Sequence, residues 1–292
     1  MTCHKNALIL GSSGRFGRHC AKAFEAAGWG VQKFVRGRDD LNIAAKDKDI
    51  IVNGWHVNYP LWAKERTLIN HAVSKAALQN NATVIICANI YVYGPKHRGT
   101  LFTSTPHDAQ NPLGRLQIES EQYFRDQDVK TILIRCGDFL DTQKTDSWGD
   151  RMIFKDLHRG ILHYPGRIDA VHSWAFLPDV GRVAVALAEI RQTLNHFEEV
   201  HFAGFNVTAR ELANTFTKME SGMFKLKKMP WMPFFLLAPF WKMARHLIEL
   251  RYLWDIDQTL CDRALSDLLP DFKKTELQNA LKICFSDQMQ RV

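Results

Sequence analysis

Three glycines near the start of the chain have the spacing of a phosphate-binding turn. Gly11, Gly14 and Gly17 follow an apolar run at residues 7–10, which is typical of a strand buried on both faces. Apolar residues then recur at helical spacing as far as Gly28, a typical helix stop. In such a turn the first glycine permits the bend, the second lets backbone approach a pyrophosphate, and the third lets the helix pack on the strand.

Because the helix N-terminus also presents unpaired N–H groups to phosphates, this stretch predicts a dinucleotide site. An ordinary glycine turn is the alternative. The residues of the turn expected to contact the dinucleotide are Gly11, Ser13, Gly14, Arg15, Phe16 and Gly17.

A basic residue, Arg36, follows the second predicted strand at residues 31–35. NAD-selective sites usually place an acidic residue near this point to hold the ribose hydroxyls, whereas a basic residue favours the 2′-phosphate of NADP. Arg15 and Arg38 could add positive charge at the same corner, or all three could be solvated surface groups. We therefore expect NADP as the cofactor in preference to NAD.

Composition and charge exclude several classes of protein. The 292 residues carry a formal net charge of +7, which suits an anionic ligand such as a phosphorylated cofactor or a nucleotide sugar. The basic residues are dispersed, so no nucleic-acid partner is expected. The six cysteines are widely spaced and form no Cys/His cluster, so no metal is expected. No signal peptide or membrane span is recognised, which predicts a cytoplasmic protein.

Strands and helices alternate through the first half of the chain. This pattern predicts an α/β fold with a Rossmann-type doubly wound parallel sheet. We assign the sheet to an NAD(P)-binding domain at residues 1–205, with residues 150–175 contributing to the substrate cleft. Residues 206–292 are expected to form a smaller, mostly helical substrate lobe. Since ligands bind beyond the carboxyl ends of parallel strands, Gly54 and Asn89 are expected on the ligand-binding edge.

An aromatic and proline-rich stretch occupies residues 229–241 of the predicted lobe. It is too short and too broken by proline to span a membrane. Packing of the lobe over the cofactor domain is its simplest interpretation. A substrate-cavity wall, a subunit contact such as a homodimer interface, and contact with a membrane surface are the alternatives.

Five ordered segments together resemble the extended short-chain dehydrogenase/reductase family, in particular its NAD-dependent epimerase/dehydratase branch. The glycine turn matches the first motif of that family, and Asp40-Leu41 resembles an Asp-Leu pair near the adenine. The other three matching segments are Tyr91-Val92-Tyr93-Gly94-Pro95, Arg135-Cys136-Gly137-Asp138-Phe139 and residues 173–180. The resemblance implies a nicotinamide cofactor, with Leu41 near its adenine and Asn89 and Gln117 near its nicotinamide half.

The catalytic groups of the family are replaced in this chain. The family has a Tyr and, four residues later, a Lys on one helix face, completed by a Ser or Thr after the fourth strand. Leu113, Gln117 and Asn89 occupy these three positions. Leu113 cannot transfer a proton, and Gln117 can hydrogen-bond a ribose but carries no charge.

Two functions remain open at this point. The chain could be an oxidoreductase or epimerase-like enzyme acting on a small carbonyl compound or a nucleotide sugar, with another proton donor, because the nicotinamide supplies the hydride chemistry. It could instead bind NADP without turnover, as a sensor or assembly factor. Tyr91 is the preferred proton donor, since it lies two residues beyond Asn89, although it could also simply pack against the sheet. The other groups able to transfer a proton are His56, Tyr93, His107, Tyr164 and His172.

Overall fold

The computed structural model describes residues 5–145, 147–219 and 223–289. The strands of these residues are β1 (Asn6–Leu10), β2 (Gly30–Lys33), β3 (Ile50–Asn53), β4 (Thr83–Ala88), β5 (Gly99–Leu101), β6 (Thr131–Cys136), β7 (Asp138–Leu140), β8 (Ile161–Tyr164), β9 (Val171–Phe176), β10 (Phe197–Phe202), β11 (Phe205–Thr208), β12 (Lys225–Lys228) and β13 (Gln258–Leu260). The α-helices are α1 (Arg15–Ala26), α2 (Leu41–Ala44), α3 (Trp62–Asn80), α4 (Pro112–Asp126), α5 (Leu177–Glu189), α6 (Ala209–Met219), α7 (Met232–Leu237), α8 (Lys242–Glu249), α9 (Arg263–Leu268) and α10 (Leu277–Met289).

Six strands form one parallel sheet in the order β10-β6-β4-β3-β1-β2. Strand order reverses between β1 and β3, because β2 pairs on one side of β1 and β3 pairs on the other. A ligand in a sheet of this kind lies at the carboxyl ends of the strands, beside that reversal. The predicted Rossmann-type fold is confirmed.

Helices cover both faces of this sheet. On one face α1 and α5 pack together over apolar residues that include Phe24 and Leu187. On the other face α3 and α4 cover residues such as Leu8 and Val84. The strand residues between them are fully buried, which explains why β1, β3 and β6 are nearly continuous apolar runs in the sequence.

A second sheet lies beyond the carboxyl ends of the first. Its strands run in the order β11-β9-β13-β5, and β7 pairs with the far part of β9. Strand β8 pairs separately with β12. The lobe after residue 205 is therefore mostly helical, as predicted, but it also contributes β11, β12 and β13.

The core of this lobe takes residues from both sides of the predicted boundary at residue 205. Leu140, Phe154 and Trp174 pack with Phe216 and Phe285 in one buried cluster. Parts of residues 140–176 thus pack with the lobe, and the predicted contribution of residues 150–175 to the substrate cleft stays a prediction. Among the residues that the structure describes, no helix is both long and apolar enough to cross a membrane.

Candidate functional site

The glycine turn joins β1 to α1 as predicted. Gly11 has φ +67°, and its carbonyl accepts a hydrogen bond from the Gly14 N–H at 2.8 Å. A Cβ on Gly11 would lie 2.3 Å from the carbonyl oxygen of Gly54, and a Cβ on Gly17 would lie 2.3 Å from that of Gly11. These two glycines are therefore required by backbone packing between β1, α1 and the end of β3.

Gly14 is different from its neighbours in the turn. It precedes α1 with φ −77°, and a Cβ there would meet the Gly11 carbonyl oxygen at 3.1 Å, which is tight but not prohibitive. No side chain caps the N-terminus of α1, and its first turn contains no acidic residue. The N–H groups of this turn are therefore suited to an anion such as a pyrophosphate.

Arg15 is bound to a segment that is distant in the sequence. Its Nε donates to the Asp141 carboxylate at 3.1 Å and its Nη2 to the Phe139 carbonyl at 3.2 Å. Arg18 and His19 bind the same carboxylate at 2.6 and 3.0 Å. Hydrogen bonds and charge from these residues outweigh burial and lower the pKa of Asp141. Arg15 thus ties α1 to the segment after β7, and its predicted contact with the cofactor stays a prediction.

Arg36 lies at the exposed corner after β2, and its guanidinium stacks over the Trp55 ring at 4.9 Å. Arg38 is paired instead with Asp39, whose carboxylate also accepts the Val35 N–H at 2.8 Å. Arg36 is thus the arginine of the predicted three that is not held by a carboxylate here. Trp55 was missed by sequence reasoning, although its place directly after Gly54 on the binding edge could have indicated it.

Leu41 opens α2, beside this corner. Asp40 caps that helix by accepting the Ile43 N–H at 3.0 Å. The Leu41 side chain packs on the cluster that covers β1 and β3. The Asp-Leu pair therefore has a clear structural role, and its predicted contact with adenine stays a prediction.

Leu113 and Gln117 do not face an open cleft. Leu113 is fully buried with Trp62, Leu250 and Leu253. The Glu249 carboxylate on α8 accepts the Leu113 N–H at 2.7 Å, which fixes the start of α4 against the lobe. Position 113 is therefore packed against the lobe and is not open to a cleft.

Gln117 is buried and receives a positive charge from another helix. Its Oε1 accepts hydrogen bonds from Arg66 Nη1 at 2.7 Å and from Asn89 Nδ2 at 3.3 Å. Its Nε2 donates to Glu121 at 2.7 Å. Burial lowers the pKa of Arg66 to about 10, so this arginine remains protonated near neutral pH. A cation thus lies beside position 117 although no lysine is present there.

Tyr91 lies on the binding edge beyond the carboxyl end of β4, as predicted. Its hydroxyl is 2.6 Å from that of Tyr59, and its ring stacks on Trp62. Asn89 Oδ1 accepts the Tyr91 N–H at 3.0 Å, which orients the segment. Burial, the neighbouring Tyr59 and the Asp138 charge raise the pKa of Tyr91, so it stays a protonated donor at neutral pH.

Tyr91 lines a cavity of about 60 Å³ between the sheet edge and the lobe. The residues that line it are Asn89, Ile90, Tyr91, Cys136, Gly137, Asp138, His172, Ser173, Leu253 and Trp254. This volume holds a few water molecules. Leu253 and Trp254 form the wall on the lobe side, so a larger ligand requires that wall to move.

Asp138 lines this cavity and was not among the predicted proton donors. Burial raises its pKa to about 6, although the Arg15 charge opposes the shift. Burial is the main cause of the raised pKa values of Tyr59, Tyr91 and Tyr164, and the charge of Asp138 adds to each of them. A carboxyl group that titrates near neutral pH beside a tyrosine pair is typical of acid–base sites.

The remaining predicted proton donors are divided between the site and the core. His172 lines the cavity, but burial lowers its pKa to about 4 and Tyr164 hydrogen-bonds its Nδ1. Partial burial and the charges of Arg15 and Arg66 lower the pKa of His56, although its side chain keeps some exposure. These shifts favour neutral imidazoles.

Tyr93 and His107 belong to a buried ionic network behind the cavity. Its centre is Arg135, which is fully buried and binds Glu199 at 2.7 and 2.9 Å and Glu121 at 2.7 and 3.0 Å. Against the effect of burial, the two carboxylates raise the pKa of Arg135.

The same network contains a set of potential metal ligands. His107, Glu121 and Glu199 place ligand atoms within 4.8 Å of one another. Arg135 binds both carboxylates and Arg125 also pairs with Glu199, so a structural ion cluster accounts for this group. Tyr93 is buried next to it, with its hydroxyl 2.8 Å from His201 Nε2.

The chain resembles known proteins in its fold but not in its sequence. No family model matches the chain, and no curated protein sequence matches it. Many solved structures match its fold, and eight of them have 12–15% sequence identity to it. MoeE5 in complex with UDP-glucose and NAD is 15% identical with a TM-score of 0.75, over 96% of this chain and 97% of that chain.

Two further structures extend the likeness. UDP-glucuronic acid 4-epimerase from Bacillus cereus in complex with NAD is 14% identical, with a TM-score of 0.72 over 96% of this chain and 97% of that chain. MlghC, a GDP-mannoheptose C4 reductase from Campylobacter jejuni with NADP bound, is 12% identical, with a TM-score of 0.72 over 98% of each chain. The chain thus has the same fold as these solved structures, which hold NAD or NADP.

Proposed function

We propose that this protein is an NADP-dependent oxidoreductase or epimerase-like enzyme that acts on a nucleotide sugar or a small carbonyl compound. The observation that carries the proposal is the placement of two features on one sheet edge. A glycine turn with an uncapped helix N-terminus follows β1, and a cavity containing Tyr91 and Asp138 follows β4 and β6. Solved structures of this fold are complexes of nucleotide-sugar epimerases and reductases with NAD or NADP, which supports the proposal.

The cofactor would lie along the edge from Arg36 to Gln117. Gly14 and the first turn of α1 would hold the pyrophosphate, and Arg36 the 2′-phosphate that distinguishes NADP from NAD. Trp55 would support the same corner through its stacking with Arg36. Asn89 would hydrogen-bond the nicotinamide half, and the buried Gln117 would hold Asn89 and Arg66 in place. Arg66 would supply the positive charge that a lysine usually supplies.

When bound, the nicotinamide supplies or accepts the hydride. Tyr91 would donate a proton to the substrate oxygen during carbonyl reduction and accept one during alcohol oxidation. Tyr59 would return that proton through the hydroxyl pair, since the two oxygens are 2.6 Å apart. Asp138 would exchange the proton with solvent near its pKa of about 6, while Arg66 would favour negative charge developing nearby.

Substrate entry requires movement of the lobe wall. The cavity holds a few waters, so Leu253 and Trp254 must shift before a sugar can reach Tyr91. Residues 140–176 and 206–292 together would form the substrate half of the cleft. The division at residue 205, a homodimeric state and a cytoplasmic location remain predictions.

The test combines a cofactor titration with a substrate panel. NADPH and NADH binding to the full chain is followed by fluorescence, and turnover is measured on UDP-, GDP- and dTDP-sugars and on small aldehydes and ketones. Tyr91→Phe should reduce turnover about 100- to 10,000-fold while leaving NADPH affinity unchanged, because general acid–base catalysis contributes on this scale. Tyr123→Phe on α4, away from the lining of the cavity, is the matched control and should retain activity.

Two results would overturn the proposal. Equal loss in Tyr91→Phe and Tyr123→Phe would remove Tyr91 as the proton donor. Tight NADPH binding without turnover on any compound of the panel would leave the alternative function, a dinucleotide-binding sensor or assembly factor.

A further inference from the structure

Exposed apolar side chains are concentrated in one short segment of the part of the chain that the structure describes. Among the described residues, six of the fourteen exposed large hydrophobic side chains lie between positions 232 and 241. They are Met232 at 65% exposure, Phe235 at 44%, Leu236 at 69%, Leu237 at 48%, Phe240 at 90% and Trp241 at 45%. We call residues 232–241 the apolar tip. Such a concentration on a monomer marks an interaction site.

The apolar tip is held in a defined conformation. Helix α7 ends in a turn in which the Phe240 and Trp241 N–H groups both donate to the Leu237 carbonyl, at 3.0 and 2.8 Å. Arg245 on α8 donates to the carbonyls of Ala238 and Pro239, each at 2.6 Å. The exposed side chains are therefore presented by an ordered turn.

Aromatic packing anchors the base of the apolar tip in the lobe. Phe234 packs on Trp148 and Trp231 with ring centroids 5.9 and 5.5 Å apart, and it stacks on Trp241 at 6.3 Å. Trp148 stacks in turn on Trp254, the residue that forms one wall of the cavity. Phe234 thus faces the core while its neighbours Phe235 and Leu236 face outward.

Positive charge flanks the tip on both sides. The sequence from Met223 to Ile248 contains no Asp or Glu, but it contains four lysines and one arginine. Lys227 and Lys228 end β12 just before the tip, and Lys242 starts α8 directly after it; all three are exposed. An apolar protrusion between exposed cations is the composition of interfacial segments that bind anionic lipids.

We propose that residues 225–245 dock the protein on a membrane surface rich in anionic phospholipid, with the apolar tip inserted at the level of the headgroups. Phe240 and Leu236 supply the buried apolar area, and the lysines lie at the phosphate level. A second copy of the chain fits this surface less well. A symmetric contact would bring the lysines of both copies together around the tip, and like charges across an interface are unfavourable.

The experiment measures vesicle binding by the full chain. Vesicles of three parts phosphatidylcholine to one part phosphatidylglycerol are compared with phosphatidylcholine alone in a flotation assay. The protein should float with the anionic vesicles at about 0.1 M salt, and binding should weaken at about 1 M salt because screening removes the charge contribution. Binding to phosphatidylcholine alone should be several-fold weaker.

Two pairs of substitutions separate the apolar and charged contributions. Leu236→Ser with Phe240→Ser should lower the partition coefficient at least tenfold, and Lys227→Glu with Lys228→Glu should lower it by a similar factor on anionic vesicles only. The matched control is Ile43→Ser with Leu68→Ser, which removes side chains of 77% and 66% exposure from α2 and α3. It should bind as the parent does. Because all these side chains are exposed, the thermal transitions should be unchanged.

Three outcomes would overturn the proposal. The first is a parent chain that does not float with anionic vesicles at about 0.1 M salt. The second is an equal loss of binding in the control pair. The third is a parent that sediments as a dimer and becomes a monomer when Phe240 is replaced by Ser, which would assign the tip to self-association.

Discussion

The two sides of the binding edge are built by different means. At β1 and β3 the site is made of backbone, since Gly11, Gly17 and Gly54 pack so closely that no Cβ fits between them. At β4 and β6 it is made of side chains, including Tyr91 and Asp138. One side accepts essentially a single residue type at each of its key positions. The other can keep its shape while its chemical groups are exchanged.

This difference explains why the two sides of the binding edge resemble the motifs of the short-chain dehydrogenase/reductase family to such different degrees. The glycine turn retains every residue of the motif, because losing any of the closely packed ones would disrupt the sheet. The family positions at 113 and 117 hold Leu and Gln, yet α4 keeps its place through buried contacts with the lobe and with Arg66. Side-chain chemistry at such an edge can therefore move to other segments while the fold persists.

The largest effect on stability is expected on the side of the binding edge that is made of side chains. Arg135→Met should destabilise the protein by about 3–5 kcal/mol, because it leaves the buried carboxylate of Glu121 without its arginine and that of Glu199 with Arg125 as its remaining arginine. Urea unfolding measures the free energy directly.

A compensated variant sharpens this result. Arg135→Met combined with Glu121→Gln and Glu199→Gln removes all three charges together and should recover much of the stability. If Arg135→Met alone lowers the free energy of unfolding by less than about 1 kcal/mol, the buried ion pairs of Arg135 do not stabilise the protein as expected.

The next effect compares two glycines of the same turn. Gly17→Ala should destabilise by about 3 kcal/mol or more, since its Cβ would lie 2.3 Å from a carbonyl oxygen that cannot move. Gly14→Ala meets its nearest atom at 3.1 Å and should keep a cooperative thermal transition. It should nevertheless weaken NADPH binding at least tenfold, because the methyl group projects where the pyrophosphate is expected. Unchanged NADPH affinity in a folded Gly14→Ala would contradict the assignment of the turn.

Arg36 tests cofactor choice on the backbone side. Arg36→Asp should reduce the preference for NADPH over NADH by about 1.5–3 kcal/mol, because it removes a charge-assisted contact and adds repulsion. Parallel titrations of both cofactors measure the preference. Arg38→Asp is the matched control, since Arg38 is engaged with Asp39. A parent that binds both cofactors equally would refute the predicted preference.

The smallest expected effect is the loss of stability that Asp138 causes as the pH rises. Its pKa of about 6 in the folded protein lies above the ordinary value, so the folded state holds its proton more tightly than the unfolded chain. Asp138 should therefore cost stability progressively as pH rises from about 4 to about 6, and the full cost should remain above pH 6. Asp138→Asn should accordingly be more stable than the parent by up to about 2 kcal/mol at pH 8 and equal to it at pH 4. A constant difference across this range would show that Asp138 is not buried as described.

The sequence was sufficient for the backbone-determined half of the molecule. The apolar run of β1, the glycines after it and the helical spacing up to Gly28 predict the turn and α1, which runs from Arg15 to Ala26. The alternation of strands and helices predicts the six-stranded parallel sheet. These features are local, and each restricts the residue type at its own position.

The side-chain half could be predicted only in part. Tyr91 was found through its distance from Asn89, but Tyr59 and Asp138 come from segments far apart in the chain and meet only in the fold. The partner of Arg15 is likewise distant, since Asp141 lies 126 residues further along the chain. Local spacing contains no signal for such contacts.

The most direct test of the central claim is a crystal structure of the protein with NADP⁺ bound. We expect the pyrophosphate over Gly14, the 2′-phosphate beside Arg36, and the nicotinamide ring facing the cavity that contains Tyr91 and Asp138. A dinucleotide bound away from the glycine turn would contradict the account, as would a nicotinamide ring separated from Tyr91 by the packed side chains of Leu113 and Leu253.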